Sequence, residues 1–145
     1  MRRLCLPLAA LLVLPLLGSD APRGYDGATE ADDIQGTWEF TRYEYGGRAA
    51  RAPHFRDVTT YRGGTFTTAR GDGDTIRGSY RLDPASKPSR LVKCPVVGPQ
   101  QGRATQLIYE VNGDTLRVAE LFDADGHPQG FKDRGVVVLV YTRAK

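Results

Sequence analysis

Cysteine is nearly missing from this chain: Cys5 and Cys94 are the only two in 145 residues. That scarcity excludes a disulfide-stapled scaffold and a thiolate zinc cluster. Histidine is as scarce, with His54 and His127 alone, and neither stands at the short spacing of a zinc ligand pair. No G-x-S-x-G elbow and no Ser/His/Asp set can be read from the chain, so the sequence argues against an enzyme. An excess of charge is missing too. Twenty basic and seventeen acidic residues leave a formal charge of +3, which is no basic footprint for nucleic acid. Long apolar runs are limited to Leu4–Leu17, at about 14 residues short of the roughly 20 that span a bilayer as a helix.

What is there begins with that run. Arg2 and Arg3 precede it, and the small residues Gly18, Ser19 and Ala21 follow it. A basic start, an apolar middle and a small-residue end predict a secretory signal over 1–21, removed on export to a periplasm, a cell surface or the medium. Cys5 lies at the wrong end of the run for lipid attachment, and no membrane span is expected after cleavage. Loss of the leader takes the charge to about +1 or +2 and leaves Cys94 without a partner, where burial is the expectation for a lone thiol. Residues 22–33 are poor in apolar side chains and acidic at their end, which predicts a flexible lead.

From Ile34 the pattern becomes short apolar alternations punctuated by Gly, Pro, Asn and Asp, the signature of an all-β domain over 34–145. Ile34, Gly36, Trp38 and Phe40 share one face of a first strand. The segment RAARAPHF is a connection with room for a helical turn. Strands follow over 57–62, 65–70, 75–82, 90–96, 104–111, 115–122 and 135–142. Gly63-Gly64, Gly71–Asp74 and Asn112-Gly113-Asp114 form the tight turns. The Val-Val-Val-Leu-Val run of the last strand predicts burial on both faces, as at a barrel seam. About eight antiparallel strands with almost no helix outside the leader fit a closed barrel or a two-sheet sandwich, and periodicity does not separate the two.

Gly36-Thr37-Trp38 resembles the G-x-W signature of lipocalins. Taken with IRGSYRLDPASKPSRL, GPQQGRATQLIYEVNGDTLRV, Phe131-Lys132 and the closing VVVLVYTR, it resembles a secreted bacterial lipocalin-like domain widespread in planctomycetes. The resemblance runs from about Ile34 to Arg143 and implies a lipocalin-like barrel. It carries over no catalytic residue, cofactor or ligand. It does imply a place for Arg143, because in larger lipocalins a basic residue of the last strand packs on this Trp.

The candidate ligand-binding residues are those expected inside the barrel: Trp38, Phe40, Tyr80, Tyr109, Glu120 and Arg143. Glu120 shares parity with Leu116, Val118 and Phe122, so alternation turns it inward, where burial would raise its pKa unless a partner such as Arg143 or a tyrosine hydroxyl reaches it. A bulge or a strand end would instead let it reach water. No metal site is expected. Asp123-x-Asp125-Gly126 resembles a fragment of a calcium loop, but Arg134 stands where the bidentate Glu would fall.

Two functions remain open. One is an exported barrel that binds a small apolar or amphipathic molecule. The other is a structural or protein-interaction domain with a filled core and no ligand. The bulk of Trp38, Phe40, Ile76, Tyr80, Leu82, Leu107, Tyr109, Leu116, Val118 and Phe122 leaves little interior space and lowers the first from what the resemblance alone would suggest. Eight-stranded barrels stand at the boundary between the two.

Overall fold

A computed structural model describes residues 34–50 and 56–145. The expected leader, the lead over 22–33 and His54 lie outside the described residues.

Nine strands form one antiparallel sheet that closes on itself. They are β1 (Gly36–Tyr45), β2 (Arg48–Ala50), β3 (Val58–Arg62), β4 (Thr65–Ala69), β5 (Thr75–Asp83), β6 (Arg90–Val97), β7 (Thr105–Asn112), β8 (Thr115–Leu121) and β9 (Val136–Arg143). From β3 onward each strand pairs with the next in sequence. β1 closes the ring, pairing with β3 on one edge over Gly36–Glu39 and with β9 on the other from Trp38 to Tyr45. The result is an eight-stranded barrel, with β2 added to the far half of β1. This answers the choice between barrel and sandwich, since closure leaves the eight main strands no long open edge.

The strands fall within a residue or two of their expected bounds, with one addition. Residues 48–50, expected in a connection, form β2, because Gly46 and Gly47 both adopt positive φ and turn the chain back on β1. A bulge between Phe40 and Arg42 bends β1 where it passes from pairing with β3 to pairing with β2.

Two apolar clusters result. Inside the barrel are Ile34, Trp38, Tyr61, Phe66, Tyr80, Leu91, Leu107, Tyr109, Leu116, Val118 and Tyr141. Outside it, Ile108 and Ala119 meet Val136, Val138 and Val140, with Leu121 and Phe131 packed against them. The valine-rich strand is therefore buried on both faces, as its sequence predicts. The β8–β9 loop covers its outer face, and the Arg117 guanidinium stacks 4.7 Å from the Phe131 ring. Phe122 departs from expectation: it is 63% exposed. β8 ends at Leu121, and Asp123 with φ of 63° turns the chain away before Phe122 can continue the inward alternation. Cys94 is partly exposed rather than buried, because Leu91, Lys93 and Pro95 take the inward parity of β6.

Candidate functional site

The two ends of the barrel differ. At the end where β1 begins and β9 finishes, Trp38 is fully buried and its indole N–H donates to the Ile34 carbonyl at 2.8 Å. The Arg143 guanidinium lies 4.1 Å over the indole, and its Nη1 donates to the Gln35 carbonyl at 2.8 Å. Gly36 makes this possible: its φ is +115°, and a Cβ there would sit 3.1 Å from Arg143 Nη1. Asp114, in the β7–β8 turn, completes the base 3.6 Å from Arg143 Nε.

At the opposite end the β4–β5, β6–β7 and β8–β9 connections converge with the start of β3. Beneath them the interior holds a cavity of about 170 Å³. Its apolar wall is made by Tyr61, Phe66, Ile76, Pro95, Leu107, Val118, Leu139 and Tyr141, and the loop residues Asp57, Arg70 and Gln100 stand at its rim. Gly78 lets β5 and β6 approach each other closely. It shares the inward parity of Ile76 and Tyr80, and at the β5–β6 bulge the two backbones come so close that a Cβ would lie 2.2 Å from the Cys94 carbonyl oxygen.

Two charged side chains face this cavity from within strands. Lys93 alternates with Leu91 and Pro95 on β6, and its Nζ lies 4.1 Å from the Phe66 ring centroid and 5.4 Å from that of Tyr61. Burial pulls its pKa down to about 8, against a smaller opposing pull from Glu120. Glu120 alternates with Leu116 and Val118 on β8, where burial raises its carboxyl above the usual range against the attraction of Lys93 and Arg103. The two feel each other electrostatically but do not meet in an ion pair. No hydrogen bond joins either to another side chain among the described residues.

Three other polar groups nearby have partners. Arg70 Nη2 pairs with Asp72 at 3.2 Å, Asp57 accepts from the Gly71 amide at 3.0 Å, and the Thr68 hydroxyl meets that of Thr59 at 2.9 Å. Gln100, Thr105 and Glu120 also line a broader outer cleft, so Glu120 stands between the interior and the mouth.

A solved lipocalin-like protein from Bacteroides uniformis shares this architecture, with a TM-score of 0.51 at 16% identity over 77% of this chain and 99% of that one. The fold is lipocalin-like. At that identity the likeness is one of fold and transfers no ligand. The sequence matches no protein-family model, and no curated protein matches it.

Within this lipocalin-like barrel the six expected residues separate. Glu120 lines the cavity; Trp38, Phe40, Tyr80, Tyr109 and Arg143 do not. Trp38 and Arg143 form the base, Tyr80 accepts from Gln35 near it, and Phe40 packs edge-on against Tyr141 at 5.7 Å. Tyr109 belongs to the interior cluster and borders a small groove with Lys87, Ser89 and Phe131. The partner expected for Glu120 is not Arg143, which is held at the opposite end; its attraction comes from Lys93 and Arg103.

Lys93 was open to the same parity argument that singled out Glu120, since Leu91, Lys93 and Pro95 alternate. Arg70, Asp57 and Gln100 carry no such signal, because loops bring them to the rim. His127 serves the loop: its Nδ1 lies 2.9 Å from the Leu107 carbonyl. Among the described residues no three His, Cys, Asp or Glu side chains gather as a metal-binding group.

Proposed function

We propose that this chain is an exported, non-enzymatic binding domain that holds a small amphipathic molecule in the cavity at the loop end of its barrel. The observation that carries the reading is the coexistence, in one interior space of about 170 Å³, of an apolar aromatic wall with the charged side chains Lys93 and Glu120. Ligand sites are commonly built this way, largely apolar with a few placed polar groups. A dry engineered cavity of roughly 150 Å³ already takes benzene, so the space suits a single ring or a short branched chain rather than a long lipid. Export rests on Arg2, Arg3 and the apolar run Leu4–Leu17.

The test is native mass spectrometry on the protein purified from its own host's envelope, with organic extraction of whatever is released. The expected result is a chain shortened by its leader that carries a reproducible extra mass on the order of 100 to 200 Da, the size such a cavity admits. A bare protein mass, with no thermal shift across a panel of small metabolites, would overturn the reading. It would favour a structural or protein-interaction domain, the alternative that the close-packed base around Trp38 supports.

A further inference from the structure

Lys93 and Glu120 face the same cavity from β6 and β8, and neither has a hydrogen bond or ion pair among the described residues. Around them, Arg70, Asp57 and Thr68 are occupied by neighbours of their own. An ammonium donates only, and a carboxylate accepts only. A ligand that displaces water from groups of this kind costs free energy unless it fills their hydrogen-bonding capacity. What fits between a fixed donor and a fixed acceptor is a head group that accepts at one atom and donates at another.

A purely anionic head would meet Glu120, and a purely cationic one would meet Lys93, each with like-charge repulsion. A head with no net charge meets both groups favourably. The apolar wall of Phe66, Leu107, Val118 and Leu139 takes the remainder of the molecule.

We propose that Lys93 and Glu120 form a two-point recognition site for the head of a small, net-neutral ligand, its acceptor held by Lys93 and its donor by Glu120. A primary carboxamide on a ring or short chain is the simplest such molecule, and a compact zwitterionic amino acid with an apolar side chain presents the same pair of atoms. The inference rests on the binding function proposed above and names the class of ligand for it.

The experiment is titration calorimetry on the full mature protein with four ring compounds of matched size: benzamide, benzoate, benzylamine and toluene, with phenylalanine as a zwitterionic fifth. The expected order places benzamide or phenylalanine first, by about ten- to a hundred-fold over the other three, the range for hydrogen bonds to charged partners. Whichever of the two leads identifies the neutral or the zwitterionic form of the head.

Lys93→Met and Glu120→Leu should each remove that preference while leaving toluene binding within about two-fold. Glu120→Gln, which keeps an acceptor, should retain most of it; a merely structural role for Glu120 predicts no such rescue. Thermal melts on each variant establish that it is folded. Toluene, benzoate or benzylamine binding as tightly as benzamide and phenylalanine would overturn the two-point site while leaving a binding cavity in place. So would a preference unchanged in Lys93→Met. No binding by any of the five would overturn both this inference and the function on which it rests.

Discussion

Replacing Lys93 by methionine should make the protein more stable, although it deletes a charged group that lies over an aromatic ring. Burial holds the Lys93 ammonium to about 8 against 10.5 for an ordinary lysine, a difference worth about 3 kcal/mol at 1.36 kcal/mol per pKa unit. That cost already includes the attraction of Glu120 and is an upper figure, because water reaching the cavity from the loop end screens the charge. Methionine keeps an unbranched stem of similar length and removes the ammonium, so a gain of about 1 to 3 kcal/mol is expected at pH 7.

The pH dependence separates this cause from ordinary repacking. Between pH 8 and 10 the unfolded chain keeps its lysine proton while the folded chain loses it, so the unfolded state binds more protons and wild-type stability rises with pH through that window. Above pH 10 the trend reverses. Burial raises the Tyr61 and Tyr141 hydroxyls, so their unfolded forms ionise first and stability falls. Urea denaturation at pH 7 and 9.5, followed by Trp38 fluorescence, should show a wild-type gain between the two that is missing in Lys93→Met. Parallel pH dependences in the two proteins, or a destabilised variant, would refute the assignment of Lys93 as a desolvated cavity cation.

Two further substitutions probe the frame around the cavity. Trp38→Ala should cost about 3 to 5 kcal/mol, as truncations of buried aromatics do, and it also removes the ring on which the Arg143 guanidinium stacks and the indole donor to the Ile34 carbonyl; an unchanged denaturation midpoint would refute a structural base. Gly78→Ala should cost at least about 1 to 3 kcal/mol by overpacking, since its Cβ would lie 2.2 Å from the Cys94 carbonyl oxygen and 2.8 Å from Pro95 Cα, both backbone atoms; hydrogen exchange should quicken across β5 and β6, and wild-type protection there would contradict the close approach.

Much of the barrel was legible in the sequence because strand parity and turn chemistry act locally. Asn112-Gly113-Asp114 joins β7 to β8 where the turn rule places it, and the doubly apolar β9 is the seam strand that pairs with β1. The same rules gave way at strand ends. Phe122 has the right parity but stands one residue past β8, and β2 depends on two successive glycines at positive φ that also suit a loop.

The site was legible only in part, for a physical reason. Parity identified Glu120 but not which residues share a cavity with it, because shear carries each strand past its neighbour. Lys93 is paired with Tyr80 and Thr105, yet it shares the cavity with Glu120 of the next strand but one, which no ladder pairs with it. Arg143 was aimed at Glu120 for want of that offset. The resemblance that set it against Trp38 described its surroundings better.

The fold itself gives no reason for the charge on Lys93. Leu91 and Pro95 flank it on the same face of β6, and an apolar residue between them would continue the pattern without desolvating an ammonium. Glu120 poses the same question on β8, since Leu116 and Val118 precede it on the inward face. Well-packed apolar side chains commonly replace buried charges with no loss of stability, so a structural account would have to find something these two hold in place. Lys93 lies over the Phe66 and Tyr61 rings, but neither it nor Glu120 holds a loop or caps a backbone group among the described residues, whereas Arg143 at the other end binds the Gln35 carbonyl as well as stacking on the indole. The contrast divides the molecule. The base uses Arg143 for structure, and under the proposed function Lys93 and Glu120 serve a ligand. On this argument Lys93→Met and Trp38→Ala should move stability in opposite directions, and only the first should change which small molecule the barrel prefers.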